Sequence, residues 1–104
     1  MVADYEAVKT AAIRYADDVR RVMPVDKAVL FGSYARGTAD AGSDVDVCFF
    51  LSDFGGRQRI DIIGDLIGMT RRRGIYLEPI VFATSEIERG NPFVKEVLSS
   101  GVEI

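Results

Sequence analysis

The chain has 104 residues, 48% hydrophobic and 28% charged, with a net charge of −3 and a pI near 4.9. Such a composition suits one compact domain over residues 1–104 and is too apolar for a disordered chain. The acidic balance argues against stable nucleic-acid binding, which needs a basic footprint. No apolar run approaches the ~20 residues of a membrane-spanning helix, and the N-terminal Met1-Val2-Ala3-Asp4-Tyr5-Glu6 does not read as a signal peptide. Cys48 is the single cysteine, which excludes an internal disulfide and leads us to expect a cytoplasmic setting.

In chain order, Tyr5, Val8, Ala12, Tyr15, Val19 and Val22 recur at spacings of three and four, one apolar stripe on a helix over about 4–23, with Pro24 just beyond its end. A first strand is expected at about 27–31 and a second at 45–51. The loop Ser52-Asp53-Phe54-Gly55-Gly56 leads to a helix over 57–73, with Ile60, Ile63 and Ile67 inward and Gly74 as its stop. The basic run Arg71-Arg72-Arg73 falls at the end of that helix, where cations suit the dipole. A third strand is expected at about 75–82. Pro79 cannot donate to a ladder, so that strand belongs at an edge or breaks there. Ser85-Glu86-Ile87-Glu88 suggests a capped helical turn. Asn91 then caps, and Pro92 opens, a last helix that stops at Gly101.

The chemistry concentrates in residues 32–46. Gly32-Ser33 follows the apolar run Ala28-Val29-Leu30-Phe31, and ten residues lie between Ser33 and Asp44. A glycine there lets backbone come close to a ligand. The N–H groups of the following turn and the Ser33 hydroxyl are donors for phosphate. Arg36 sits one helical turn after Ser33, a natural partner for phosphate oxygens. Strand alternation puts Asp44 and Asp46 on one face and Val45, Val47, Phe49 and Leu51 on the other, buried one. Two adjacent carboxylates repel each other and are costly to desolvate, and a hard divalent cation removes that cost. Cys48 shares the face of Asp46 and reads as core packing. On the third strand, Glu78 shares a face with Tyr76, Ile80 and Phe82, and a carboxylate among apolar neighbours needs a partner. Taken singly these pieces are ordinary: a Gly-Ser turn, a solvated Asp-x-Asp, an edge carboxylate. The GxxxxGK[ST] phosphate loop and the calcium-loop spacing are both absent.

In combination, Gly-Ser-x-x-Arg-Gly, then Ser-Asp-x-Asp, then Glu78 resemble the minimal nucleotidyltransferase domains of the DNA polymerase β-like superfamily. The closing Asn91-Pro92-Phe93 and Gly101-Val102-Glu103-Ile104 also look like the end of small stand-alone members. The third acidic position there is often Asp, and this chain has Glu78. The resemblance implies an α+β fold with a small mixed three- to four-stranded sheet and helices packed on one side. It implies transfer of a nucleoside monophosphate, with ATP as substrate and one or two Mg²⁺ held by Asp44, Asp46 and Glu78. Gly32, Ser33, Arg36 and Ser43 would hold the phosphates, and Glu78 would serve as third ligand or general base. Larger members grip the acceptor with extra domains, so here the acceptor surface would come from a second copy or from another protein. Small members of this kind commonly resemble antitoxins paired with an all-helical HEPN-type ribonuclease toxin, some of which add AMP to that toxin. A module that neutralises its partner by contact alone, and a small-molecule nucleotidyltransferase acting as a homodimer, remain as alternatives.

Overall fold

The computed structural model describes residues 4–39 and 43–104. Met1–Ala3, part of the segment tested for a signal peptide, and residues 40–42, between the two halves of the motif, lie outside the described residues. The elements are α1 (Tyr5–Arg20), β1 (Val25–Phe31), the single turn α2 (Ser33–Arg36), β2 (Val45–Leu51), α3 (Arg59–Gly68), β3 (Leu77–Ala83), a 3-10 turn (Thr84–Ile87), α4 (Pro92–Ser100) and β4 (Val102–Glu103). The strands form one sheet in the order β3-β2-β1-β4. β1 is antiparallel to β2 and β4, while β2 and β3 are parallel, joined by the α3 crossover.

The mixed sheet and the α+β class are as expected, and β3 lies at the outer edge, as Pro79 requires. Every residue of β2 except Asp46 is buried. On one face Val45, Val47, Phe49 and Leu51 join Ala28, Leu30 and Val81 beneath Val8, Ala12, Tyr15 and Val19 of α1 and Ile62 and Leu66 of α3. The other face differs from the one-sided layering expected. There Val29, Cys48, Phe50 and Phe82 form a second cluster under Val94 and Val97 of α4. The reason is the alternation itself: the β2 positions after Asp46 are Cys48 and Phe50, too apolar to leave in water, so a second layer must cover them. Asn91 seats that layer. Its side-chain oxygen accepts from the N–H of Phe93 at 2.9 Å and of Val94 at 3.4 Å, and Pro92 takes the first helical position.

Two helices are shorter than their apolar patterns. α1 stops at Arg20, and Val22 is 67% exposed. α3 covers only Arg59–Gly68 and turns a different stripe inward. Ile62 and Leu66 are buried, Ile63 packs at the margin, and Ile60 and Ile67 are 68% and 53% exposed. Isoleucines at 60, 62, 63 and 67 satisfy two overlapping helical stripes, and periodicity alone cannot choose between them. The basic run therefore lies past the helix. Arg72 has φ 61° and Gly74 φ 79°, and Arg73 folds back to the Asp18 carboxylate at 2.6 Å.

Tyr15 locks α1 to α3. Its hydroxyl donates to the Leu66 carbonyl at 2.7 Å inside the core, and its ring meets Phe49 edge-on at 5.6 Å. Tyr15→Phe keeps the ring but removes this bond, leaving the Leu66 carbonyl only the Met69 N–H at 3.2 Å. Urea unfolding should report a loss of about 1 kcal/mol; an unchanged midpoint would show that the Met69 N–H satisfies the carbonyl by itself.

Candidate active site

The site forms where β1 ends and β2 and β3 begin. At the end of β1 the backbone turns sharply at Gly32, with φ 76° and ψ −151°, a region essentially restricted to glycine. The single turn α2 follows, closed by Arg36 N–H to the Gly32 carbonyl at 3.1 Å and ended by Gly37 in the left-handed region. Tyr34 is buried and pins this turn to the core. Ser33 is left partly exposed and Arg36 exposed at the rim. The N–H groups of Ser33 and Tyr34 precede the first helical bond, the usual position of anion-binding donors.

The carboxylates arrive from the neighbouring strands. Antiparallel pairing sets Phe31 opposite Asp46, and parallel pairing sets Asp46 opposite Glu78. Gly32 and the Asp46 carboxylate are in such close contact that any Cβ at position 32 would strike Asp46 Oδ2. Asp46 is partly buried, whereas Asp44 and Glu78 are exposed. Burial pushes the Asp46 carboxyl up to about 6, the charges of Glu78 and Asp44 push the same way, and Arg36 opposes them. Gly32, Arg36, Asp44, Asp46 and Glu78 are thus gathered at one edge of the sheet. Ser43 stands just before Asp44 and is partly exposed.

Among the described residues, no three carboxylate, thiol or imidazole groups close on one point as a ready-made metal cage. The donor set nonetheless fits a hard divalent cation of the magnesium type. That ion usually takes one or two carboxylates and completes its shell with water and substrate phosphate. Burial and, after it, the charges of Glu78 and Asp44 disfavour the ionised Asp46, and such an ion would offset both. Cys48 takes no part: it is fully buried, and burial pushes its thiol up to about 12.

A cavity of about 670 Å³ opens on the β3 side of these carboxylates, lined by Asp44, Thr70, Arg72, Tyr76 and Glu78 among others. Sequence reasoning placed Tyr76 on the face of Glu78 but gave it no role. Its signal was an aromatic residue two positions before the third carboxylate. Phe93, at the start of α4, was also missed; it is 44% exposed and meets Phe31 edge-on at 5.9 Å.

With the geometry in place, the comparisons agree. Residues 13–99 match the nucleotidyltransferase domain family, and the chain belongs to it. A protein from Methanocaldococcus jannaschii named "putative protein adenylyltransferase" is 32% identical over 81 residues, covering 77% of this chain and 79% of that one. The crystal structure of a "putative nucleotidyltransferase" from Sulfolobus solfataricus superposes with a TM-score of 0.69 at 20% identity, covering 97% of this chain and 86% of that one, which establishes the shared fold.

Two outcomes follow from the Gly32–Asp46 contact. Gly32→Ala forces a side chain into a glycine-only conformation and against a carboxylate. It should cost about 1–3 kcal/mol in thermal unfolding and abolish nucleotide binding measured by calorimetry. Asp46, raised from 3.8 to about 6, holds its proton to higher pH in the folded than in the unfolded chain. Its contribution to stability is therefore full below pH 3.8 and lost as pH rises through about 6. Asp46→Asn should remove this dependence and stabilise the metal-free protein at pH 7 by on the order of 1 kcal/mol, allowing for water at the rim. Parallel melting curves from pH 4 to 7 for both proteins would contradict it.

Proposed function

We propose that this nucleotidyltransferase moves AMP from ATP to a hydroxyl group on a protein, with magnesium as its metal. The observation that carries this reading is the contact between the Gly32 turn and Asp46, with Asp44 and Glu78 beside it. An anion-binding turn and a set of carboxylates pressed together have a common use only if a cation and a polyphosphate lie between them. The Methanocaldococcus relative, by its name, supports a protein acceptor.

In this reading the Ser33 hydroxyl, the first N–H groups of α2, Arg36 and Ser43 hold the β- and γ-phosphates. Asp44 and Asp46 hold the metal. When bound, the divalent ion neutralises developing charge and makes the attacking hydroxyl more acidic. Glu78 accepts the proton of that hydroxyl, or ligates. The chain contains no histidine, so a carboxylate is the natural base here. The acceptor oxygen bonds to the α-phosphorus, and pyrophosphate leaves. The edge is open to solvent, and a partner laid over it would exclude water from the reaction. We take that partner to be a HEPN-type ribonuclease toxin, on the resemblance to small antitoxins of this family. The acidic net charge suits a basic partner face.

Mass spectrometry of the protein with ATP, magnesium and the product of a neighbouring HEPN gene tests this. The partner should gain AMP units. The double substitution Asp44→Asn and Asp46→Asn should lower the rate about 100-fold or more, since several kcal/mol of charge stabilisation go with the metal. Unchanged transfer would overturn the site assignment. A ribonuclease silenced without any mass gain would show inhibition by contact.

A further inference from the structure

Tyr76 is 81% exposed, belongs to neither core cluster, and stands in the cavity bounded by Asp44 and Glu78. The backbone fixes its place. The Tyr76 carbonyl accepts from the Val45 N–H at 2.7 Å, which sets it beside the residue that follows Asp44. Glu78 lies two residues further on and lines the same cavity. A large aromatic side chain held in water at this point does no packing.

The direction of the reaction bears on this position. Transfer at phosphorus puts the attacking and leaving oxygens roughly in line. With the β- and γ-phosphates over Ser33 at the end of β1, and the α-phosphorus beside Asp44 and Asp46 at the start of β2, pyrophosphate departs toward β1. The acceptor must then approach from the opposite side, over β3. The strand order β3-β2-β1 makes the cavity around Tyr76 that side. Thr70 brings a second hydroxyl to the same cavity, but it donates to the Ile67 carbonyl at 2.7 Å and is engaged.

We propose that Tyr76 is itself an acceptor, and that the chain transfers AMP from ATP to its own Tyr76 hydroxyl. The inference rests on the nucleotidyl-transfer reading above. The Tyr76 oxygen bonds to the α-phosphorus, and the bond from that phosphorus to the pyrophosphate oxygen breaks. The phenolic proton passes to the Glu78 carboxylate and then to solvent. Pyrophosphate leaves, and nothing is oxidised or reduced. The new phosphodiester carries one negative charge, and Arg72 in the cavity wall offers it a cation. A chain so modified carries an AMP group where any other acceptor must enter, so the modification restrains the enzyme in the absence of a partner.

The test uses the purified full chain with ATP and magnesium and no other protein, read by intact mass and peptide mapping, with ATP binding followed by calorimetry. The chain should gain one AMP unit on the peptide containing Tyr76. In Tyr76→Phe the gain should fall to background, while melting temperature and ATP affinity stay at wild-type values because the ring is kept. ATP binding with no mass gain would overturn self-modification, and a label that survives in Tyr76→Phe or maps to Thr70 would overturn Tyr76 as the acceptor; each leaves the nucleotidyl-transfer reading standing. A wild-type chain that binds no ATP in the presence of magnesium would overturn the nucleotidyl-transfer reading together with it.

Discussion

Like charges held close at the adjoining starts of two strands, against the turn that ends a third, are the constraint around which this protein is organised. Asp44, Asp46 and Glu78 share one edge of the sheet, and Gly32 lets the Asp46 carboxylate settle against the main chain of the neighbouring strand. None of this helps the chain fold. Burying part of Asp46 among other acids works against stability, as its raised pKa records. The cost is offset by a sheet with a core on both faces, Phe49 and Leu30 beneath α1 and α3, Phe50 and Phe82 beneath α4. Enzymes commonly hold such locally unfavourable arrangements on stable scaffolds, at the expense of some stability.

The topology is what makes the crowding possible. Antiparallel pairing returns the start of β2 to the end of β1, and so brings Asp46 to Gly32. The crossover through α3 then lays β3 parallel to β2, so both strands begin at the same edge. A hairpin between β2 and β3 would have carried Glu78 to the other end of the sheet. The helix α3 thus matters to the site without contributing a side chain to it. Tyr15 and Arg73, which tie α1 to α3 and to the loop before β3, support the position of Glu78 from a distance.

The legible part of this fold was the part set by local rules. The Gly32-Ser33 turn, the alternation of Asp44 and Asp46, the Asn91 cap with Pro92, and Pro79 at an edge each follow from the stereochemistry of one or two residues. What escaped depends on contacts distant in sequence. The stripe of α3 that turns inward is chosen by β2 and β3, and Ile60 and Ile67 are as apolar as Ile62 and Leu66. The second layer under α4 was hidden because Cys48 and Phe50 could be read as a face that α1 and α3 leave bare. β4 is two residues long and exists only because β1 has an edge to pair with. The cavity at Tyr76 needed the strand order, which no single segment encodes.

Pro79 has a consequence beyond placing its strand. The bond from Val45 N–H to the Tyr76 carbonyl, together with the parallel register, turns the N–H groups of Glu78 and Ile80 inward to β2. The ring nitrogen of Pro79 therefore faces outward, at the middle of the sheet's free margin. A foreign strand adding there would find a donor missing halfway along. The margin nearest the reactive groups is thereby guarded against end-on fibre growth and runaway self-association.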